Sequence, residues 1–311
     1  MIQIEGLYKY YGTTRAVGPI DLQVSAGEVV GLLGENGAGK STTLRVLACE
    51  LLPSAGRVKV DGHDVVDDPD AVRASIGYLP DKPPLYPEMT VREYLGFAAR
   101  LRGVARADTP ARVAAAAEQA ALTSELDAVI GALSHGFQQR VGIAQAIVHR
   151  PRFVVLDEPI SGLDPRQIVE MRRLIRGLAG EHTVLISSHI LSEISQTCDR
   201  LLVIRDGEIV ADDTEEAIVQ RTLGGARIRL LASGLTAERL ATLTSAVPQA
   251  TLLSSQEEAG CLRLELTSPE DVRARLARWV VESGAELLEI GRSEHELERV
   301  FMRLASPEQA S

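Results

Sequence analysis

A glycine-rich loop between a buried strand and a helix constrains this chain more than any other feature. Residues 34–41 read Gly-Glu-Asn-Gly-Ala-Gly-Lys-Ser, which fits the pattern G-x-x-x-x-G-K-[ST] without substitution. The apolar run 29–33 precedes the loop, and residues 42–47 follow it with helical spacing. Such a loop turns backbone N–H groups inward around phosphate oxygens, and the start of the helix adds its positive dipole end. The sequence therefore predicts a nucleotide phosphate site.

The side chains that follow the glycines fit the same interpretation. We expect Lys40 to reach the outer phosphates and the Ser41 hydroxyl to bind Mg²⁺. A glycine turn without function is the alternative, but lysine, hydroxyl and flanking elements together favour the phosphate site. The residues of this stretch predicted to contact the nucleotide are Gly34, Glu35, Asn36, Gly37, Ala38, Gly39, Lys40, Ser41 and Thr42.

Two other apolar runs also end in polar residues. The run 153–157 is followed by a pair of carboxylates, Asp157 and Glu158, and the run 184–188 by His189. In open α/β sheets, ligands gather at the carboxyl ends of the strands. We expect Asp157 to hold Mg²⁺, directly or through water, and Glu158 to polarise the attacking water. His189 contacts the γ-phosphate or orients that water and Glu158 in this interpretation, since phosphoryl transfer needs mostly positioning and charge neutralisation.

Length, charge and cysteines bound the class of protein. A chain of 311 residues predicts two domains. Its formal charge of −10 argues against a general nucleic-acid binder, so no direct nucleic-acid partner is expected. The three cysteines are far apart and lack metal spacing, which indicates reduced thiols in a cytosolic protein. Neither a signal peptide nor an apolar run of about 18–20 residues is present, so any membrane role is expected to come through a partner.

The remaining patterns predict the elements around the site. Strands are expected at 2–7, 20–24 and 56–62, a strand running into a loop at 76–81, and a hairpin at 201–210. A capping box at Thr90 and Glu93 opens a helix through residue 102, and a second helix starts at 109–110. A helical run is expected at 141–148. The chain from about residue 85 to 148 therefore reads as a helical subdomain inserted between sheet strands.

These residues together resemble the ATP-binding cassette (ABC) family over residues 2–219. Residues 34–41 match its Walker A loop, and 154–158 match its Walker B strand with Glu158 as the catalytic glutamate. Residues 161–164 match the D-loop, and His189 matches the switch histidine. The run 133–137 corresponds to the signature L-S-G-G-Q. Tyr11 aligns with the family's adenine-stacking aromatic, although packing at a strand end is the alternative for this tyrosine.

The resemblance implies a fold and a mechanism. The fold is an α/β P-loop cassette with a RecA-like core, an antiparallel β subdomain and the inserted helical subdomain. Two copies would form a homodimer on binding ATP, with each ATP between Lys40 of one copy and Ser134, Gly136 and Asp164 of the other. The conformational change that accompanies dimer formation would be transmitted through a groove at residues 81–86 to membrane permease subunits in trans. The protein would then be cytoplasmic and peripheral at the cytoplasmic face of the membrane.

Three residues depart from the family pattern. His135 and Phe137 replace signature residues, and Asp81 stands where the family usually has the Q-loop glutamine. Asp81 is either a further Mg²⁺ ligand, directly or through water, or a plain loop residue. We expect activity to survive, because Ser134 and Gly136 carry the phosphate contact. Residues 76–91 resemble the ATPases of ABC-2-type exporters.

The sequence predicts a cassette over residues 1–220 and an accessory domain over 221–311, joined by a linker at 222–226. The accessory domain has strands at 227–231, 251–254, 262–266 and 286–290. Helices are expected at 236–246 and after Ser268 as N-cap, and a closing helix at 295–304 with His295 on its surface. In the helix after Ser268, the spacing of Val272, Leu276 and Val280 predicts a buried face. The order β-α-β-β-α-β fits a small α+β ferredoxin-like sandwich, for which we expect a regulatory or dimer-supporting role.

Three functions compete. The first is an ATP-hydrolysing subunit of an ABC transporter, coupled to a separate permease and directed to export. The second is a soluble ABC ATPase acting on nucleic acid or ribosomes, but such families carry a long coiled-coil insertion or two cassettes. The third is a non-hydrolysing module that switches shape with ATP. Glu158 and His189 favour hydrolysis, whereas the altered signature and Asp81 keep the third open.

Overall fold

The computed structural model describes residues 1–223, 226–258 and 260–292. The chain forms two compact units, residues 1–213 and 214–311. The linker predicted at 222–226 is wrong in its outer residues, because a helix continues through Leu223 and a strand begins at Ala226. The boundary that the sequence placed after residue 220 falls inside that helix. Within the described residues, no helix is both long and apolar enough to span a bilayer.

The first unit alternates strands and helices, as a nucleotide-binding α/β fold requires. Its strands are β1 (Ile2–Tyr11), β2 (Thr14–Val24), β3 (Val29–Leu33), β4 (Ala55–Val60), β5 (His63–Asp64), β6 (Ile76–Leu79), β7 (Phe153–Asp157), β8 (Thr183–Ser188), β9 (Arg200–Arg205) and β10 (Glu208–Asp213). Its α-helices are α1 (Lys40–Leu47), α2 (Pro69–Ser75), α3 (Val91–Leu101), α4 (Thr109–Gln119), α5 (His135–Ile147), α6 (Pro165–Leu178) and α7 (Leu191–Ser195). One-turn 3₁₀ helices cover Thr123–Glu125 and Ile130–Ala132.

The central sheet has the strand order β10-β9-β3-β8-β7-β6. Its strands pair in parallel except at the β9–β10 hairpin, which is antiparallel as predicted. Every residue of β3, β6, β7 and β8 is buried, because a parallel sheet of this kind is covered on both faces. This explains why these strands read as continuous apolar runs in the sequence.

A second sheet has the order β2-β1-β4-β5 and is antiparallel throughout. Ile2 and Leu7 of β1, Leu44 and Leu47 of α1, and Val155 of β7 belong to one buried apolar core. The two sheets and α1 therefore share a core. The shared core fixes α1, and with it the loop that precedes the helix, against the central sheet.

Helices α3, α4 and α5 form the predicted helical insertion between β6 and β7. The capping box is confirmed, since Thr90 Oγ1 accepts from the backbone N–H of Glu93 and the Glu93 carboxylate accepts from Thr90 N. Helix α5 begins at His135, earlier than the predicted start at residue 141. Ser134 explains the difference, because it occupies the N-cap of α5.

The second unit begins with α8 (Glu215–Leu223) and has a four-stranded antiparallel sheet. Its later elements are β11 (Ala226–Ser233), α9 (Ala237–Leu240), α10 (Leu243–Ala246), β12 (Thr251–Glu258), β13 (Cys261–Ser268), α11 (Arg273–Glu282) and β14 (Glu286–Arg292). The strand order β12-β13-β11-β14 has the two strands of each βαβ segment separated by a third strand. This is the split βαβ topology predicted for the accessory domain.

Three details of the second unit differ from the sequence-based expectation. The helix predicted over 236–246 is divided into α9 and α10. Ser268 is not the N-cap of α11, because it stays paired with Ala226 in the β-ladder and the helix begins after Val272. The predicted buried face is confirmed, with Val272, Leu276 and Val280 all fully buried. The closing helix at 295–304, including His295, lies outside the described residues.

Candidate nucleotide-binding site

Three neighbouring strands deliver polar residues to one edge of the central sheet. Strand β8 lies between β3 and β7, so that Leu33 is opposite Ser188 and Ser187 is opposite Asp157. The loop after β3, the carboxylates after β7 and His189 after β8 therefore lie at the same carboxyl edge. The convergence expected from the apolar runs is present in the fold.

The glycine-rich loop has no room for a side chain at Gly39, the residue before α1. Gly39 has φ 106, in the region that favours glycine. A Cβ there would lie 2.8 Å from the carbonyl oxygen of Ala16 and 3.1 Å from Val17 Cγ2. Because β2 presses against this point, only glycine lets the loop turn directly into the N-terminus of α1.

Lys40 contacts both the glycine-rich loop and Glu158, the carboxylate that follows β7. Its side chain is 5% exposed, and its Nζ donates to the carbonyl oxygens of Gly34 at 2.8 Å and Glu35 at 3.2 Å. The same ammonium is 3.3 Å from Glu158 Oε1. Lys40 therefore lies between the backbone of the loop and Glu158.

Glu158 is held on both sides and has a strained backbone. Its φ of 50 lies in the left-handed region, which costs a non-glycine residue about 1–2 kcal/mol. His189 Nδ1 is 2.9 Å from Glu158 Oε2, and because a carboxylate accepts, Nδ1 carries the proton. Backbone strain of this kind clusters at functional sites. At Glu158 the strain coincides with the contacts of the carboxylate to Lys40 and His189.

Ser187 ties Asp157 and Glu158 together, and sequence reasoning gave it no role. Its Oγ donates to Asp157 Oδ1 at 2.6 Å and accepts from the backbone N–H of Glu158 at 3.0 Å. Burial raises the pKa of Asp157, and the hydroxyls of Ser187 and Ser41 act in the opposite direction. The signal that could have found Ser187 is its place at the end of a buried strand, but its partner depends on the strand register.

A cavity of about 330 Å³ opens at this edge. The predicted residues that line it are Asn36, Gly37, Gly39, Lys40, Ser41, Thr42, Asp81, Glu158 and His189. Ala16 and Ser161 also line it and were not predicted to contact the nucleotide. Gly34, Glu35 and Ala38 do not line it. Gly34 and Glu35 instead offer their carbonyl oxygens to Lys40, while the carbonyl of Ala38 accepts from Gly207 N.

Tyr11 lies at the end of β1 and is not among the residues that line the cavity. Its side chain is 47% exposed, and Lys9 Nζ lies 5.5 Å from the centre of its ring. The ring is therefore an accessible aromatic surface rather than a core residue. Its assignment to the adenine stays a prediction.

The signature residues lie at the start of α5. The Ser134 side chain caps the helix, accepting from Phe137 N at 3.5 Å, and Gly136 is buried. His135 Nε2 is 3.3 Å from the carbonyl oxygen of Ser161, which links the signature to the cavity wall. Phe137 packs under the guanidinium of Arg140, at 5.5 Å. Ser134 and Gly136 do not line the phosphate cavity of their own chain.

Asp164 also lies outside that cavity. Its side chain caps α6 by accepting from Gln167 N at 2.9 Å. Asp81 lines the phosphate cavity and also a second cavity of about 290 Å³. The second cavity is bounded by Pro83, Leu85 and Ile130, so Asp81 stands where the two cavities meet.

The oxygen donors at the phosphate cavity fit Mg²⁺. Within the described ranges, no group of three or more His, Cys, Asp or Glu side chains could hold a metal ion. Mg²⁺ commonly takes one or two protein oxygens and completes its shell with phosphate and water. Ser41 and Asp81 line the cavity and supply hard oxygen donors of that kind. Asp157 is not among the lining residues, but its carboxylate is buried beside the Ser41 hydroxyl and adds a third such donor.

Comparison with known proteins agrees with the motifs. A family model described as ABC transporter matches residues 17–161. The bacitracin transport ATP-binding protein BcrA of Bacillus licheniformis is 32% identical, over 98% of this chain and 97% of the relative. The Nod factor export ATP-binding protein I of Burkholderia lata is 34% identical, over 99% of this chain and 97% of the relative.

A solved structure extends the likeness to three dimensions. The dimeric structure of a post-hydrolysis state of an ATP-binding cassette with ADP and Pi superposes with a TM-score of 0.63 at 25% identity. The match covers 69% of this chain and 98% of that cassette. These relatives confirm the expected fold class and the expected ATPase activity. The chain belongs to the ABC transporter family and is one of its ATP-binding, ATP-hydrolysing subunits.

Proposed function

We propose that this subunit binds Mg²⁺ and ATP in the phosphate cavity and drives a separate membrane permease for export. The observation that carries the proposal is one continuous set of contacts. Lys40 Nζ is 3.3 Å from one oxygen of Glu158, and His189 Nδ1 is 2.9 Å from the other. A phosphate-binding cation, a general base and an orienting imidazole are thus in direct contact at the carboxyl edge of the sheet.

The loop and Lys40 bind the phosphates in this proposal. Backbone N–H groups of the loop and the N-terminus of α1 attract the phosphate oxygens. Lys40 exchanges its contact with Glu158 for phosphate oxygens, which releases the carboxylate to face water. Ser41 and Asp157 would hold Mg²⁺, with Asp81 contributing directly or through water, and the ion would supply positive charge against the phosphates. Tyr11 stacks on the adenine.

Glu158 and His189 act on the attacking water. Glu158 accepts a proton from the water, directly as it approaches the γ-phosphate or after bond formation. His189 donates through Nδ1 to Glu158 and thereby fixes the direction of the carboxylate. His189 also lines the phosphate cavity, and its Nε2 donates to a γ-phosphate oxygen when both ring nitrogens carry a proton.

The second copy of the chain completes the site. Ser134 is exposed at the N-terminus of α5, a helix end suited to an anion, and lies outside the phosphate cavity of its own chain. A head-to-tail homodimer brings Ser134, Gly136 and Asp164 of one copy to the nucleotide of the other. The dimeric cassette with ADP and Pi supports this arrangement. Closure by ATP is a population shift toward the dimer.

The permease docks at the second cavity, beside Asp81. The lining residues Pro83 and Leu85 offer apolar surface to a partner segment, and Asp81 connects that surface with the nucleotide. The subunit is then peripheral on the cytoplasmic face of the membrane. The names of full-length relatives, which include transport and export proteins, favour this role over action on nucleic acid or ribosomes.

The test compares the native chain with Glu158→Gln. We expect ATP turnover in the native chain and its loss in the variant, which keeps the shape of the side chain but not its basicity. The variant should accumulate as a dimer with ATP, measured by light scattering coupled to size-exclusion chromatography. A variant that keeps native turnover, or that stays monomeric with ATP, contradicts the proposed mechanism.

A further inference from the structure

A buried carboxylate lies just behind the switch histidine. Glu193, in the one-turn helix α7, is 4% exposed. Charged side chains are rarely buried to this degree unless they are paired. Its Oε2 accepts from Ser188 Oγ at 2.8 Å, and Ser188 is itself 2% exposed. The burial of this carboxylate beside His189 therefore points to a structural or functional role for Glu193.

The hydrogen bonds of Ser188 fix the backbone on both sides of His189. Ser188 Oγ donates its one proton to Glu193 and accepts from the backbone N–H of Ile190 at 3.0 Å. Ser188 precedes His189 and Ile190 follows it, so the histidine is enclosed by a turn that depends on one carboxylate. The Thr197 hydroxyl donates to the Glu193 carbonyl at 2.6 Å and fixes the far end of α7.

Arg172 of helix α6 also binds the segment that contains Glu193. Arg172 Nη2 donates to the carbonyl oxygen of Ser192 at 3.0 Å, and Nη1 donates to the Gln196 side chain. Arg172 thus binds the backbone of the residue immediately before Glu193. The N-terminus of α6 is capped by Asp164 of the D-loop. The turn carrying His189 is therefore anchored to the helix that starts at the D-loop.

The groups around Glu193 shift its pKa in opposite directions. Burial raises the pKa of Glu193, while the Ser188 hydroxyl opposes this shift. Glu158 raises the same pKa, whereas His189 and Arg172 lower it. Two carboxylates thus act on His189 from different sides, Glu158 by direct contact and Glu193 through the backbone turn.

We propose that Glu193 is a positioning residue for ATP hydrolysis, which holds His189 in contact with Glu158 through Ser188. This rests on the proposed role of His189 at the γ-phosphate and the attacking water. Without the Glu193 carboxylate, the buried Ser188 hydroxyl has lost its acceptor and is free to rotate. The Ile190 N–H then loses a fixed partner, and the turn that presents His189 loosens. The loop that binds the nucleotide phosphates is untouched by this change.

The test is steady-state ATP hydrolysis by the full chain with Glu193→Ala. We expect kcat to fall about 10- to 100-fold, as small misplacements of catalytic groups do. KM for ATP should stay at the native value. Glu193→Gln should restore most of kcat, since its amide oxygen still accepts from Ser188. Glu118→Ala, at an exposed position of α4, is the matched control for a lost carboxylate and should behave as native.

A double-mutant cycle with His189→Ala separates positioning from general damage. If Glu193 acts through His189, Glu193→Ala has no further effect on kcat in the His189→Ala background. A further drop there, a raised KM, or failure of Glu193→Gln to recover activity would overturn the inference. If the native chain hydrolyses ATP and Glu193→Ala does so equally well, this inference fails alone. If His189→Ala keeps native kcat, the assigned role of His189 fails as well.

Discussion

Removing the Ser187 hydroxyl tests how the site is held together. Ser187→Ala deletes the donor to the Asp157 carboxylate, at 2.6 Å, and the acceptor for Glu158 N, at 3.0 Å. A hydrogen bond to a charged group is worth about 1.5–3 kcal/mol and a neutral one about 0.5–1.5 kcal/mol. The contact with Asp157 is buried, so water does not replace the lost donor there, whereas the contact with Glu158 N is partly buried. The free energy of unfolding of the first unit should therefore fall by about 2–4 kcal/mol.

The assay follows the tyrosines, because all six lie in residues 1–213 and the single tryptophan, Trp279, lies in the second unit. Near-ultraviolet circular dichroism of the tyrosines during heating should show the melting temperature of Ser187→Ala lowered by roughly 4–16 °C. Ser192→Ala, an exposed serine shortly after the same strand, is the matched control. It should melt within a degree or so of the native chain, as surface changes do.

The pH dependence gives the sharper test. Ser187 favours the ionised form of Asp157, so the variant raises the pKa of this carboxyl further than burial alone does. The difference in stability between native and variant is then largest where Asp157 is ionised and shrinks as the pH falls and Asp157 becomes protonated in both. A difference below about 0.5 kcal/mol at neutral pH, or one that stays constant into acid, refutes this account of the site.

Two further changes test the glycine-rich loop and the contact between His149 and strand β6. Gly39→Ala should abolish binding of a fluorescent ATP analogue, because its Cβ would lie 2.8 Å from the carbonyl oxygen of Ala16; Gly177→Ala, where nothing lies within 4 Å, should bind as native. Burial lowers the pKa of His149 to about 4, with its Nε2 3.2 Å from the Ile76 carbonyl. Because the folded protein keeps His149 neutral, this residue does not lower stability above pH 6.5. The free energy of unfolding, measured in urea, should fall by about 3 kcal/mol by pH 4 as the unfolded chain takes up the proton. His149→Gln should lose this part of the acid sensitivity, and an unchanged acid dependence would contradict it.

Much of the fold follows from the sequence because parallel strands are buried on both faces. Their residues form uninterrupted apolar runs, as in 29–33 and 153–157, and the polar residue that ends each run marks the carboxyl edge. The order along the chain predicted which residues meet there. The local pattern does not predict the order of strands in the sheet, in which β8 lies between β3 and β7.

The failures have a common physical cause. Ser268 followed by proline reads as a helix start, yet its pairing with Ala226 keeps it in β13. Leu240 and Leu243 lie in different short helices although their spacing suits one helix. Local signals give the preference of a segment, whereas pairing with distant strands decides between near-equal alternatives. Element boundaries are therefore the part of the fold that the sequence describes least well.

The buried partners of the site were invisible for a related reason. Ser187, Ser188 and Glu193 have no motif that marks them, and a glutamate such as Glu193, next to Ser192, is ordinarily expected at the surface. Their roles depend on the register of β8 with β7 and on the turn after β8. Each connects a motif residue to the scaffold: Ser187 holds Asp157 and Glu158, and Glu193 holds the turn at His189. Motifs therefore identify the groups that meet the nucleotide, whereas the geometry that makes them effective comes from polar residues buried behind them.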